Sequence, residues 1–361
     1  ASAGVDTRAG DRAVELMTDA VRATHGPQVL GGVGGFAGLY DASALSAYRR
    51  PLLATSTDGV GTKVAIAQAM GVHDTIGFDL VGMVVDDIVV VGATPLFLTD
   101  YIACGRVVPE RIADVVRGIA AACSVAGCAL VGGETAEHPG LLGPDEYDVA
   151  GAATGVVEAD ELLGPDRVAD GDVLIALASS GLHSNGYSLV RRVVERSGWA
   201  LERHVDELGR TLGEELLAPT RVYASDCLGL VGRFPGAVRA FAHVTGGGLA
   251  ANLARVLPAG IVADVDRSSW PLPPVFTLIQ DLGGVPWPDM EATLNLGVGM
   301  VAVLAPHAVD DVLAHTATLG YGAWVLGSVR SRSAHDDPAN LISDTKGVHG
   351  GAVHLIGTYR S

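Results

Sequence analysis

An acid, two glycines and a lysine lie together in residues 57–63, TDGVGTK, directly after the apolar run PLLATS. Asp58 is a candidate ligand for a hard divalent cation, and Lys63 is a candidate point charge for a phosphate group. Gly59 and Gly61 would let backbone N–H groups approach a ligand closely, with Thr62 between the glycine and the lysine. The same residues also fit an ordinary Asp-Gly turn, so this heptapeptide leaves both interpretations open.

Three further aspartates interrupt the apolar stretch DLVGMVVDDIVVVG, at positions 79, 86 and 87. On a helix, a spacing of seven brings Asp86 back to the face of Asp79. Carboxylates on such an apolar helix are costly to bury unless a cation compensates them. We therefore predict that Asp58 and Asp87 hold Mg²⁺, with Asp79 as a third candidate ligand. The alternative is that Asp79 caps the helix and that Asp86 and Asp87 face water.

Glycine-rich loops recur at three other predicted strand ends, VGGETAEHPG, SSGLHSNG and HVTGGGL. Free N–H groups and the helix dipole make glycine-rich helix entries good anion sites, although each loop alone is also typical of a tight turn. The two histidines are candidate acids or bases and equally candidate structural residues. The candidate binding residues are Glu134 in the first loop, Ser180, His183, Ser184 and Asn185 in the second, and His243, Thr245, Gly246, Gly247 and Gly248 in the third.

The common nucleotide-binding motifs are absent or weak in this sequence. No Gly-Lys dipeptide occurs, which excludes a Walker A loop. Residues 32–37, GVGGFA, satisfy the dinucleotide pattern formally but do not follow a clear strand. Gly34 and Gly35 suit a mobile flap over phosphates better, because they offer N–H donors without side chains.

Composition narrows the class of protein. The chain has 361 residues, 48% of them hydrophobic and 18% charged, which predicts two folded domains. A net charge of −17 argues against nucleic acid, and anionic substrates would need local positive charge or a divalent metal. Four cysteines without a paired spacing indicate buried thiols in a reducing cytoplasm. We expect neither a membrane span nor a secretory signal.

Strands and helices alternate in both halves, which predicts an α+β fold of two mixed α/β domains. The turn-rich segment DELLGPDRVADGDV places the boundary near residue 168, giving domains 1–168 and 169–361. Residues 331–348 are polar and turn-rich, and we expect them to form an exposed or poorly ordered insertion.

Taken together, the motifs resemble those of the phosphoribosylformylglycinamidine cyclo-ligase, or AIR synthetase, family. The resemblance runs from about residue 3 to about residue 330, through TDGVGTK, LVGGETAEHPG, SSGLHSNGYSLVRR, LLAPTRVY, HVTGGGLAANLARVLP and TLNLGVGMV. It implies an ATP- and Mg²⁺-dependent enzyme of purine biosynthesis that converts formylglycinamidine ribonucleotide into 5-aminoimidazole ribonucleotide. It also implies a homodimer whose N-terminal sheets pair into a barrel, and a C-terminal domain in which helices pack on a sheet.

The resemblance assigns roles to individual residues. It implies that Asp58 and Asp87 coordinate Mg²⁺, that Lys63 meets the phosphates, and that the GGVGGFAG segment lies near the nucleotide. Glu134, Ser184, Asn185 and the glycines 246–248 would line the substrate side. The chain departs from the family by carrying Asp86 in place of asparagine and His138 in place of methionine. The other interpretations are a small-molecule kinase of the same superfamily and an inactive nucleotide sensor.

Overall fold

The computed structural model of the chain describes residues 7–32, 34–343 and 347–360, in two compact units. The first unit contains the chain up to Val89, residues Ala93–Glu161 and residues Leu216–Ser225. The second contains Val90–Gly92, Leu162–Glu215 and the chain from Asp226 onwards. The domain boundary near residue 168 stays a prediction.

The first unit follows the predicted alternation of helices and strands. Its helix from Pro109 has proline in the first turn and ends at Ala126, followed by Gly127 in the left-handed region, which are common start and stop signals of helices. In chain order its elements are α1 (Thr7–Ala23), β1 (Val29–Leu30), β2 (Leu39–Tyr40), β3 (Pro51–Gly59), α2 (Val64–Met70), α3 (Ile76–Val89), β4 (Thr94–Cys104), α4 (Pro109–Ala126), β5 (Ala129–Glu137) and β6 (Tyr147–Glu158).

One sheet of this unit has the order β3-β6-β4-β5. Strand β6 is antiparallel to both β3 and β4, and β4 is parallel to β5. Every second residue of β6, from Tyr147 to Val157, is buried on the face that α3 covers. The residues between them are half-buried or exposed, except for Val156, which is buried. The sheet therefore has one covered face and one face that this chain leaves partly open.

Helices α3 and α4 cross closely because glycines lie at the crossing. A Cβ at Gly77 would overlap the backbone of Gly118 and Ile119, and a Cβ at Gly118 would overlap Asp74 O. Twelve residues of α3 are buried, which agrees with the prediction that this stretch is too apolar for a surface helix.

The second unit is built on a seven-stranded mixed sheet with the order β10-β12-β7-β13-β11-β15-β14. Every residue of β12 is buried. The elements are β7 (Val173–Ala178), α5 (Tyr187–Ser197), β8 (His204–Val205), β9 (Arg210–Thr211), α6 (Leu212–Leu216), α7 (Ala224–Arg233), β10 (Val238–His243), α8 (Gly248–Ala254), β11 (Ile261–Asp266), α9 (Pro274–Gly283), α10 (Trp287–Thr293), β12 (Val298–Leu304), α11 (Val309–Thr316), β13 (Ala323–Ser331), β14 (Leu341–Ile342) and β15 (Ala352–Ile356).

The predicted insertion at 331–348 is largely exposed, as expected, but part of it is tied to the sheet. Arg330 donates through both terminal nitrogens to Asp336, at 2.9 and 2.8 Å, and through Nε to Asp264 at 2.6 Å. Residues 341–342 then form β14, which pairs with β15. Residues 344–346 lie outside the described residues. Among the described residues, no helix is both long and apolar enough to cross a membrane.

Candidate functional site

Strand pairing in the first unit places two aspartates on one row of the sheet. Asp58, near the end of β3, lies opposite Gly151 of β6, and Asp100 of β4 lies opposite the same glycine from the other side. Residues in register point to one face, so both carboxylates lie on the face covered by α3. A Cβ at Gly151 would come within 3.3 Å of Leu80 of that helix. Asp58 itself is exposed.

The carboxyl group of Asp100 has a strongly raised pKa. Its carboxylate lies directly over Gly133 of β5, where a Cβ would overlap Asp100 Oδ1. Burial of the group raises the pKa of Asp100 to about 7. This side chain can therefore hold or release a proton near neutral pH. The sequence interpretation overlooked it, although a single acid in the apolar strand PLFLTDYIAC was an available signal.

Adjacent aspartates of α3 have opposite environments. Asp87 is the exposed residue of the helix, whereas Asp86 is fully buried. Tyr223 N donates to both carboxylate oxygens of Asp86, at 3.0 Å each. Successive helical residues are about 100° apart, which explains how neighbours differ so strongly. Of the two acids, Asp87 is therefore the one available to a metal ion.

Lys63 and Asp79 form a buried ion pair. Lys63 Nζ lies 2.7 Å from Asp79 Oδ1, and neither side chain is accessible to solvent. Lys63 also donates to Ala218 O at 2.7 Å, and Thr220 donates to Asp79 Oδ1 from its N at 3.1 Å and its Oγ1 at 2.6 Å. Burial raises the pKa of Asp79, while the charge of Lys63 and the bonds from Lys63 and Thr220 oppose that rise.

The structure gives Lys63 and Asp79 each other as partners, and their predicted roles toward a phosphate and a metal ion stay predictions. The physical reason is that α3 is buried on nearly all sides, so a carboxylate in its first turn requires a cation beside it. Among the described side chains, no group of three or more histidines, cysteines or acids could by itself hold a metal ion.

The turn after Asp58 is accessible to solvent at Gly61 and Thr62. Gly61 has a φ of +73° and is exposed, as is Thr62, and residues Gly61–Lys63 form a short 3₁₀ turn before α2. The glycine-rich segment 31–38 is the loop of the β1–β2 hairpin, with Gly34 and Gly35 exposed; Val33 is not described. A Cβ at Gly38 would overlap Val131 O of β5, and Glu134 is exposed further along that strand.

In the second unit, the loop SSGLHSNG joins β7 to α5. Ser180 N donates to His183 Nε2 at 3.1 Å, so Nε2 carries no proton in this arrangement. His183 is 1% exposed and has a φ of 60°, which is rare for a residue with a side chain. In this structure His183 orders the loop that was predicted to use it as an acid or base. Ser184 is also buried, and Asn185 is half-buried.

The loop HVTGGGL joins β10 to α8 at the same edge of the sheet, because β7 and β10 both run antiparallel to β12. His243 is 5% exposed. A Cβ at Gly246 would come within 3.4 Å of Asn185 Oδ1, so the two predicted loops meet. Asn252 Nδ2 donates to Thr245 O at 3.1 Å and to Gly248 O at 2.8 Å.

Two glycines of this loop are required by their geometry. Gly247 and Gly248 have φ values of +103° and +76°. A Cβ at Gly248 would overlap Glu291 O of α10. The loop can therefore present its backbone at the entry of α8 without side chains, as the sequence pattern predicts for an anion-binding loop.

Comparison with known proteins places the whole chain among related sequences. Residues 40–157 match the model of the AIR synthase related protein, N-terminal domain, and residues 169–336 match that of the C-terminal domain. A phosphoribosylformylglycinamidine cyclo-ligase of Geobacillus sp. (strain WCH70) is 50% identical over 329 residues, covering 91% of this chain and 94% of the relative. One of Anaeromyxobacter sp. (strain Fw109-5) is 51% identical over 330 residues, with the same coverage.

Solved structures share the fold at low sequence identity. Thiamine-monophosphate kinase from Stenotrophomonas maltophilia K279a has a TM-score of 0.67 and 20% identity, covering 96% of this chain and 97% of that one. A HypE hydrogenase maturation protein in complex with ATP has a TM-score of 0.64 and 18% identity, covering 97% and 93%.

Proposed function

This chain belongs to the AIR synthase family, and on that premise we propose that it closes an imidazole ring in purine biosynthesis. The reaction converts formylglycinamidine ribonucleotide and ATP into 5-aminoimidazole ribonucleotide, ADP and phosphate. The observation that carries this proposal is the identity of about half of all positions with relatives that are named for this activity, over nine-tenths of the chain.

The chemistry explains why ATP is needed. An amide oxygen is a poor leaving group, and transfer of the γ-phosphoryl group from ATP to the formyl amide oxygen makes it a phosphate ester. The amidine nitrogen then attacks the same carbon, the C–O bond breaks, and inorganic phosphate leaves as the ring closes. The protein must therefore hold two anionic substrates in spite of a net charge of −17.

For the nucleotide we propose the end of the first unit that carries Asp58 and Asp87. Both carboxylates are exposed, one near the end of β3 and one on α3, which packs against that strand. Two carboxylates suit a hard cation whose other ligands are phosphate oxygens and water. Mg²⁺ held there would neutralise phosphate charge. The HypE protein of similar fold was solved with ATP, which supports nucleotide binding by this fold.

For the substrate we propose the loops at the edge of the second sheet, and Glu134 of β5 is a separate substrate-binding candidate within the first unit. Asn185 and Gly246 bring the two loops together, and Thr245 with the glycines 246–248 forms the part of the loop proposed to face the substrate, where Gly248 N already donates to Thr245 O at 3.1 Å. Ser180 and Ser184 complete the set, with His183 bonded within its loop and His243 buried at the end of β10. Lys63 and Asp79 support the nucleotide end from within, through their ion pair.

We also propose that two copies pair the open faces of their first-unit sheets into a barrel. The proposal is supported by large apolar side chains that this chain leaves accessible there, with Leu53 of β3 exposed by 63% and Tyr101 of β4 by 42%. Patches of this kind are typical of surfaces that a partner covers.

The experiment is a product assay on the purified protein with ATP, Mg²⁺ and formylglycinamidine ribonucleotide. The expected result is an aminoimidazole, detected by its diazo colour, with one ADP and one phosphate for each ring formed. A phosphorylated product without a ring would indicate a small-molecule kinase instead. If no ADP were released, the nucleotide-sensor interpretation would replace both.

A further inference from the structure

Residues 216–225, here called the strap, belong to the first unit although the chain on either side of them belongs to the second. The strap runs from the last residue of α6 to the second residue of α7. Most of it is irregular backbone, and buried irregular backbone needs hydrogen-bond partners. Charged side chains are partners of three of its backbone groups, Ala218 O, Thr220 N and Tyr223 N.

The first attachment is the buried pair of Lys63 and Asp79. Lys63 Nζ donates to Ala218 O at 2.7 Å, and Asp79 Oδ1 accepts from Thr220 N at 3.1 Å and from Thr220 Oγ1 at 2.6 Å. Asp79 Oδ1 thus receives three donors, counting the ammonium group of Lys63. The strap replaces part of the hydration that the pair lost on burial, at Lys63 Nζ and Asp79 Oδ1.

The second attachment is Asp86, whose two oxygens both accept from Tyr223 N at 3.0 Å. Between the two attachments the strap touches the helix backbone, since a Cβ at Gly82 would come within 2.7 Å of Thr220 Cγ2. Three positions of α3 a turn apart, 79, 82 and 86, therefore face the strap.

These attachments lie beside the acids assigned to the nucleotide. Asp86 precedes Asp87 on α3, so fixing Asp86 inward sets the rotation of the helix and directs Asp87 outward. Lys63 closes the short turn that follows Asp58. The strap is thus bonded to α3, which carries Asp87, and to Lys63 in the turn that follows Asp58, without contributing a carboxylate itself.

We propose that the strap positions the nucleotide-binding end of the first unit, and that Thr220 is a positioning residue which acts on Asp58 and Asp87 through the Lys63–Asp79 pair. The inference rests on the proposed assignment of Mg²⁺ and ATP to those two acids.

The test is the affinity of the full-length chain for Mg²⁺ and a non-hydrolysable ATP analogue, measured by titration calorimetry. Thr220→Val keeps the shape and the backbone donor and removes only the hydroxyl bond to Asp79. The inference predicts up to about tenfold weaker binding of the analogue, the value reached when the whole energy of the lost hydrogen bond to a charged group appears in binding. Thr220→Ser retains the hydroxyl and should bind within about twofold of the unaltered protein.

Two further variants separate positioning from mere stability. Gly82→Ala removes no polar group but pushes the strap away from α3, and should weaken analogue binding in the same way. Thr316→Val is the matched control, since it removes a buried threonine hydroxyl that donates to Leu313 O at 3.0 Å in α11. It should lower the melting temperature without changing analogue binding.

Normal analogue binding by folded Thr220→Val and Gly82→Ala would overturn the inference and leave a purely structural strap. That result is distinct from failure of the proposed function, in which the unaltered protein itself would bind no analogue and form no aminoimidazole. The second failure would overturn both proposals.

Discussion

Replacing Asp100 by asparagine should change the pH dependence of stability in a calculable way. Burial raises the pKa of Asp100 from 3.8 in the unfolded chain to about 7 in the folded one. The folded state therefore binds the proton of Asp100 more tightly than the unfolded chain does. The contribution of this proton to the free energy of unfolding is lost as the pH rises from about 4 through about 7. Asparagine has nearly the same shape and does not ionise, so the variant lacks this loss.

The size of the effect follows from the two pKa values. Relative to the variant, the unaltered protein should lose about 2 kcal/mol of unfolding free energy by pH 5 and about 4 kcal/mol by pH 8. The useful quantity is the difference between those conditions, about 2 to 3 kcal/mol, because any effect of the amide group that does not depend on pH cancels.

Urea unfolding at pH 5 and pH 8, followed by far-UV circular dichroism, measures this difference. Tryptophan fluorescence is a poor probe here, since all four tryptophans lie in the second unit and Asp100 lies in the first. Equal pH dependence of the two proteins would refute the reasoning and would mean that the Asp100 carboxyl group titrates as if exposed.

Three other substitutions test the assignments made above. Asp87→Asn should lower the rate of ring formation at limiting Mg²⁺ by at least about tenfold with little change in melting temperature, and a normal Mg²⁺ dependence would remove Asp87 from the metal site. The control Asp206→Asn, at a fully accessible position, should match the unaltered protein. Gly77→Ala should destabilise the first unit by about 2 kcal/mol or more in denaturant unfolding, because the added Cβ overlaps the backbone of α4. The control Gly10→Ala has open space around it and should stabilise α1 by up to about 1 kcal/mol, so equal effects of the two variants would contradict the close helix crossing. Arg330→Ala should speed proteolysis within residues 332–340 without slowing catalysis, because the bonds from Arg330 to Asp336 are lost. An unchanged cleavage rate would show that these bonds do not hold the insertion in place.

Local signals in the sequence predicted the elements that depend on near neighbours. The proline at Pro109 and the glycine at Gly127 marked both ends of α4, and the glycine-rich loops at 180–186 and 245–248 lie at strand ends as expected. Alternation of buried and accessible residues in β6 was equally visible in YDVAGAATGVVE.

The parts that sequence did not predict depend on residues far apart in the chain. Asp79 receives Thr220 from 141 positions away, and no local spacing encodes that contact. An aspartate in a buried ion pair and an aspartate that binds a metal ion look the same in a sequence. The residue types of Lys63 and Asp79 therefore did not distinguish the two roles before their neighbours were known. The perturbed pKa of Asp100 likewise depends on the fit of its carboxylate over Gly133.

The strap also constrains the order in which the chain can mature during translation. When a ribosome has released only residues up to 161, the first unit has its sheet and its helices, but Lys63, Asp79 and Asp86 still lack their bonds to Ala218, Thr220 and Tyr223. Buried charged groups that lack part of their hydrogen bonding favour an open, hydrated state. The N-terminal half should therefore stay loosely packed while residues 162–215 are synthesised, and should close only after Tyr223 has emerged.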